Sequence, residues 1–177
     1  HMINITGQIL PVKKICKMAH GHGVKVLVDG AHCIGHFDFR IEELNCDYYG
    51  SSLHKWLATP LGAGLLYVTD DQISKLWPLI ADNEKNPDKI KRLSHKGTIP
   101  VHIDLAIVNA MEYLKWMGIK RKEKRLRFLK NYWLQALEDV PNIVINTPLE
   151  DSRSCGIGNV GVKSIKPATL AKRLYDE

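Results

Sequence analysis

Between Asp29 and Gly64 the chain places an acid, an imidazole, a hydroxyl, a second imidazole and a primary amine, side chains of the kinds that move protons and attack carbonyls. Asp29 ends a β-branched run and is followed by Gly30, Ala31 and His32. Ser52, Leu53, His54 and Lys55 follow the next strand candidate, and Gly62 and Gly64 introduce a third. Taken singly, a strand-end Asp is a turn or cap residue and a Lys after a strand is a solvated charge. Their order and spacing give the group its weight. Asp29, His32, Cys33 and His36 can also be drawn as a metal cluster, since D-x-x-H and H-x-x-x-H set ligands on one helical face. AHCIGHF is too interrupted by glycine for a helix, and no second ligand pair is evident, so no metal is expected. His20, His22 and His36 are read as surface or turn residues.

The elements that must position this group alternate. Residues 10–22 have helical spacing and close on the glycines of HGHG. VKVLVDG (24–30) reads as a strand, AHCIGHFDF as a turn or short helix, and IEELNC (41–46) as a second short helix. DYYGSSL (47–53) is the next strand, HKWLATPLG a loop, and GAGLLYV (62–68) a third strand. Such alternation predicts an α/β layered sheet whose ligands sit where strands end and loops begin. DDQISKLWPLIA then reads as a helix and DNEKNPDKIKRLSHKGTIP as a polar connection. Residues 102–117 carry Ile103, Ile107, Ala110, Leu114 and Met117 on one stripe that Gly118 breaks. Ile119, Leu126, Leu129, Trp133, Ala136 and Val140 continue at helical spacing up to Pro141. NIVINTP and GIGNVGVKSI read as strands. KPATLAKRLYDE reads as an amphipathic helix with nothing after it to pack against, the expectation for a piece of a longer protein.

The stretch VLVDGAHCIGHFDFRIEELNCDYYGSSLHKWLATPLGAGLLYV resembles the class V aminotransferase family, fold-type I pyridoxal-phosphate enzymes that include cysteine desulfurases and isopenicillin N epimerase-like proteins. HMINITGQILPVKKIC is similar to the family's preceding strand, loop and helix, and GTIP (97–100) to a family loop. The resemblance implies an α/β fold with a mixed, mostly parallel sheet and flanking helices, joined to the start of a smaller α+β C-terminal domain. Residues 1–135 would be the central part of the cofactor-binding domain with its connecting helices, and 136–177 the beginning of the small domain. It also implies pyridoxal 5'-phosphate as cofactor, with Lys55 as the amine that holds the coenzyme aldehyde as a Schiff base and returns a proton in turnover. Such a lysine must be uncharged part of the time. Asp29 matches the acid that keeps the pyridine nitrogen protonated. His32 matches a donor near the ring oxygen and the imine, in a catalytic as well as a binding role. Ser52 and His54 match donors to the phosphate, at alternate positions as a strand end presents them. Asn4 matches a contact to the ring hydroxyl, and Thr98 one to the phosphate of a neighbouring subunit, which makes a homodimer the expected assembly. The implied substrate is an amino acid, with transamination, epimerisation or C–S cleavage as the outcome. The family's phosphate-cradling turn and stacking ring lie upstream of this chain, and its carboxylate-clamping arginine downstream, so the fragment itself is expected to catalyse little.

Composition agrees with a soluble domain and excludes disorder: 45% of the 177 residues are hydrophobic and 25% charged. Cys16, Cys33, Cys46 and Cys155 are scattered without a C-x-x-C pair, which points to buried thiols in a reducing cytoplasm. No apolar stretch approaches the roughly 20 residues of a membrane helix, and no leader opens the chain. The formal charge of +6 is local. Seven cations lie between Lys120 and Lys130, which raises a nucleic-acid-binding or non-catalytic scaffold alternative for the basic helix 120–130. Phe128 is its single aromatic, a poor platform for stacking bases. We therefore read the cations as the solvated face opposite the apolar stripe, with no nucleic acid and no membrane as partner, and Trp56, Trp77 and Trp116 as core or interface residues.

Overall fold

The computed structural model describes residues 1–81, 83–94, 97, 98 and 100–177. The chain falls into two units, one formed by His1 with residues 11–35 and 39–116, the other by residues 2–10, 36–38 and 117–177.

In the first unit, α1 (Val12–Gly21) leads into β1 (Leu27–Asp29), α2 (Ile41–Leu44), β2 (Tyr48–Ser52), β3 (Gly64–Val68), α3 (Asp70–Ile73) and α4 (Val101–Met117). The strands form one mixed sheet in the order β1-β2-β3, with β1 parallel and β3 antiparallel to β2. β1 is shorter than the predicted run because its leading residues bond elsewhere. The Val24 N–H donates to the Ala19 carbonyl at the end of α1, and the Val26 carbonyl accepts from Asp47 and Tyr48.

Asp47 organises the start of this parallel pair. Its buried carboxylate accepts from the Val26 N–H at 2.8 Å, meets His20 Nε2 at 2.8 Å and pairs with Lys25 Nζ at 3.0 Å. Burial alone pushes this carboxyl up, but the Val26 N–H, His20 and Lys25 outweigh it and hold it at about 2. A folded-state value below the unfolded one contributes stability that is present above the ordinary carboxylate range and lost as pH falls toward 2. Asp47→Asn is accordingly expected to cost about 2 kcal/mol at neutral pH. Urea unfolding should show the gap to wild type narrowing as pH falls from about 4 toward 2. A gap independent of pH would contradict this role.

The core beside the sheet joins Leu53, Leu57 and Ala63 to the half-buried Ile103, Ile107, Ala110 and Leu114, so α4 packs four of the five residues of the predicted stripe. α3 is the main departure. The segment predicted as one long helix stops after Ile73, because Pro78 disfavours helix at Trp77, and Arg92 takes the Ile73 and Leu76 carbonyls. Trp77 is consequently 90% exposed.

The second unit holds α5 (Ile119–Gln135), β4 (Ile143–Ile145), β5 (Val160–Val162) and α6 (Pro167–Asp176), with β4 and β5 antiparallel. Gly118 precedes α5 at a φ of 81°, so the predicted break falls where a left-handed residue is required. The buried face of α5 is not the predicted one. Ile119 and Leu126 of the predicted stripe are half-buried, but Leu129 and Trp133 are exposed, Ala136 and Val140 fall beyond the helix, and Leu134 and Lys130 are buried instead, Lys130 at 2%. Lys130 Nζ donates to Ser154 Oγ at 2.5 Å and to the Pro148 carbonyl at 3.2 Å, so loop oxygens replace water around its charge. Burial still lowers its pKa. His36, read as a surface or turn residue, is also fully buried in this unit, its Nε2 accepting the Gly156 N–H at 2.8 Å. A ring acceptor inside the fold satisfies a loop amide that would otherwise be orphaned. Among the described residues no helix is long and apolar enough to cross a membrane.

Candidate active site

The site lies in the first unit, at the C-terminal ends of the parallel strands. Asp29 pairs in register with Gly50, so Ser52 lies two residues further along the neighbouring strand. Asp29, Ala31, Ser52 and Gly64 share the rim of a cavity of about 330 Å³, a volume within the range of small-ligand sites.

The turn after β1 aims the next residues. Asp29 Oδ1 accepts the Ala31 N–H at 2.8 Å, an Asx turn, and the Cys33 N–H donates to the Gly30 carbonyl. Ser51 Oγ donates to the same carbonyl at 2.9 Å. Gly30 admits no side chain, since a Cβ there would fall inside the ring of the fully buried Tyr49. Gly30→Ala should therefore cost about 3 kcal/mol by overpacking and weaken ligand binding at Asp29. Chemical denaturation checks this, and wild-type stability would contradict the close approach.

Lys55 sits on a clamped loop. The buried Leu53 and Leu57 anchor it on either side, and the Thr59 N–H donates to the Leu53 carbonyl at 3.4 Å to close it. Gly35, at a φ of 75°, lies against its backbone. A Cβ there would come within 2.9 Å of the Leu57 nitrogen. Ala58 within the loop adopts a φ of 61°, a left-handed conformation that alanine rarely takes.

The imidazole of His32 brings these two segments together. Lys55 Nζ is 3.2 Å from His32 Nε2, and the Trp56 indole N–H donates to His32 Nδ1 at 3.5 Å. Burial lowers the His32 pKa first, the Lys55 charge lowers it further, and the Asp29 carboxylate opposes both. The ring thus lies within the field of both the acid and the amine. His54, next to Lys55, buries Nδ1 without a hydrogen-bond partner.

Not every residue singled out in the sequence joins this group. Asn4 is an exposed turn residue of the second unit, and Thr98 is exposed in a bend of the first. Ile99 of the GTIP stretch lies outside the described residues. Trp56, Ser51, Gly30 and Tyr49 were not singled out as site residues. The glycine directly after a strand-end acid was the available signal for the last two. All four cysteines are buried, and burial holds the Cys155 thiol up at about 11, which disfavours a nucleophilic thiolate there.

The basic helix is not an open cationic face. Of its seven cations, Lys130 is buried and Lys122 is half-buried. Arg127 pairs with Glu123 and donates to the Asp151 and Ser154 carbonyls. Arg125 lies over the Phe128 ring at 5.1 Å. Four cations, Lys120, Arg121, Lys124 and Arg125, are exposed. The sequence reading is thereby corrected in part, because Lys130 and Arg127 are packing elements of the second unit.

Comparison with known proteins identifies the family. The family model described as aminotransferase class V matches residues 1–177, and the chain belongs to that family. It is 29% identical to isopenicillin N epimerase of Streptomyces clavuligerus over 98% of this chain and 47% of that protein. It is 33% identical to the isopenicillin N epimerase of Amycolatopsis lactamdurans over 77% of this chain and 38% of that protein. A probable cysteine desulfurase of Halalkalibacterium halodurans is 29% identical over 97% of this chain and 43% of its own length. The cysteine desulfurase CsdA of Escherichia coli superposes with a TM-score of 0.81 at 23% identity, covering 99% of this chain and 45% of that one. The apo cysteine desulfurase of Thermococcus onnurineus gives 0.79 at 22%, over 99% and 46%. These superpositions establish the fold expected from the sequence. The chain spans about half the length of the curated relatives it matches.

Proposed function

We propose that the full protein is a pyridoxal-phosphate-dependent enzyme acting on an amino-acid substrate, with Lys55 as the point of coenzyme attachment. The observation that carries this reading is the meeting of an amine and an acid at one imidazole, with Lys55 Nζ 3.2 Å from His32 Nε2 and the field of Asp29 on the same ring. The residues fit the coenzyme chemically. The strand-end cavity offers the Asp29 carboxylate for a pyridine nitrogen and the Ser52 hydroxyl as a donor suited to a phosphate, and His54 two residues on is assigned to the same phosphate. When bound, the coenzyme supplies an aldehyde that condenses with amines and a pyridinium ring that takes up the electron pair released at the substrate α-carbon.

The protein's own groups do the rest. Asp29, whose Oδ1 caps the turn after β1, would hold the pyridine nitrogen. His32 holds a proton between its Nε2 and Lys55 Nζ. Lys55 would be the base that takes and returns a substrate α-proton. Asn4 is assigned to the ring hydroxyl and Thr98 to the phosphate of a neighbouring subunit in a homodimer. The division into a cofactor-binding part, 1–135, and the start of a small domain, 136–177, is proposed with the same family logic, as is a cytoplasmic location. Transamination, epimerisation and C–S cleavage all start from this arrangement.

A spectrophotometric titration of the full protein with pyridoxal phosphate tests the reading. We expect a saturable visible band that amino acids perturb. A protein that stays colourless at saturating coenzyme overturns it.

A further inference from the structure

Trp56 and Lys55 make opposing demands on one ring. The Trp56 indole nitrogen is a donor only, so His32 Nδ1 must offer it a lone pair. A neutral imidazole has one lone pair and one N–H, so its proton then sits on Nε2, facing Lys55 Nζ at 3.2 Å. That N–H can donate to an uncharged amine. It cannot meet an ammonium, which has donors and no acceptor. A charged Lys55 that bonds to His32 needs the opposite tautomer, and that tautomer breaks the Trp56 contact. A doubly protonated ring would break it too. The backbone that carries the indole is fixed, because Gly35 packs against the Trp56 carbonyl carbon and Leu57 beyond it is buried.

We propose that Trp56 is a positioning residue that, by occupying the Nδ1 lone pair of His32, favours the uncharged amine at Lys55. The proposal rests on the reading of Lys55 as the attachment point and assigns to its neighbour the control of how much amine is ready to attack an aldehyde. Among the described residues, Asp29 from the end of β1 and Lys55 itself are charged groups that act on His32. Asp29 favours protonation of the ring. Trp56 supplies the opposing bias without a charge. One long hydrogen bond changes the population of reactive amine by about fivefold.

The test is the rate at which Lys55 of the full protein condenses with formaldehyde and with pyridoxal phosphate, trapped by borohydride and read by peptide mass, together with the ring ¹⁵N shifts of His32. Trp56→Phe keeps an aromatic ring and deletes the donor. It should slow both condensations about fivefold at pH 7, and the difference should vanish at high pH, where the amine is uncharged in either protein. In a His32→Ala background the same substitution should have no further effect. Equal slowing at every pH, or no slowing at pH 7, overturns the proposal. In the wild type at high pH the His32 proton should reside on Nε2, and residence on Nδ1 overturns the proposal without any variant. Failure of pyridoxal phosphate alone to label Lys55 would instead refute the functional reading, since the formaldehyde rates and the ¹⁵N shifts do not depend on the coenzyme.

Discussion

Lys55→Ala is expected to abolish the visible absorption that pyridoxal phosphate acquires on the full protein and to lower turnover by about 10⁴-fold. Two roles are lost together, the covalent attachment and the proton transfer at the substrate α-carbon. A methyl group at position 55 supplies neither. Because Lys55 is exposed and its loop is fixed by Leu53, Leu57 and Gly35, the substitution should leave stability unchanged within about 0.5 kcal/mol. Lys55→Arg makes the stricter comparison, since it keeps a charge beside His32 but offers no nucleophilic amine. Retention of the band and of turnover in either variant would refute the assignment.

Asp29→Asn should separate binding from chemistry. An asparagine side-chain oxygen can still accept the Ala31 N–H that closes the turn, so the geometry after β1 survives while the charge is removed. Capture of the coenzyme at Lys55 should persist, and turnover should fall about 10²- to 10³-fold, the scale of losing one aligned electrostatic group in a reaction that develops charge. Steady-state rates measured beside the visible band check this. Unchanged rates would mean that Asp29 serves the turn and not the ring.

The placement of the candidate site was legible in the sequence where residues of chemical interest fall at a strand end. Asp29 closes the β-branched, apolar run of β1 and Ser52 closes the paired tyrosines and small residues of β2, with His54 and Lys55 just beyond, and the structure sets Asp29 and Ser52 on adjacent strand ends. The stripe of α4 was equally readable because its apolar residues recur every three or four positions. What failed to read out depends on tertiary partners. Lys130 looks like one more solvated cation until the Pro148 carbonyl and Ser154 Oγ close on it, and nothing local distinguishes it from Lys124. His36 reads as a turn residue until Gly156, 120 positions away, donates to its ring. Trp56 reads as core because its N–H has no sequence neighbour to address, and its partner His32 is 24 residues back. The overlong helix prediction after Thr69 erred by giving apolar spacing more weight than Pro78.

The most direct measurement is peptide mapping of the full protein after incubation with pyridoxal phosphate and borohydride reduction. The account predicts one stoichiometric pyridoxyl-lysine, in the peptide that contains Lys55, and its loss when a competing amino acid is added before reduction. A stoichiometric label on any other lysine, or a scatter of substoichiometric labels that leaves Lys55 unmodified, would contradict it.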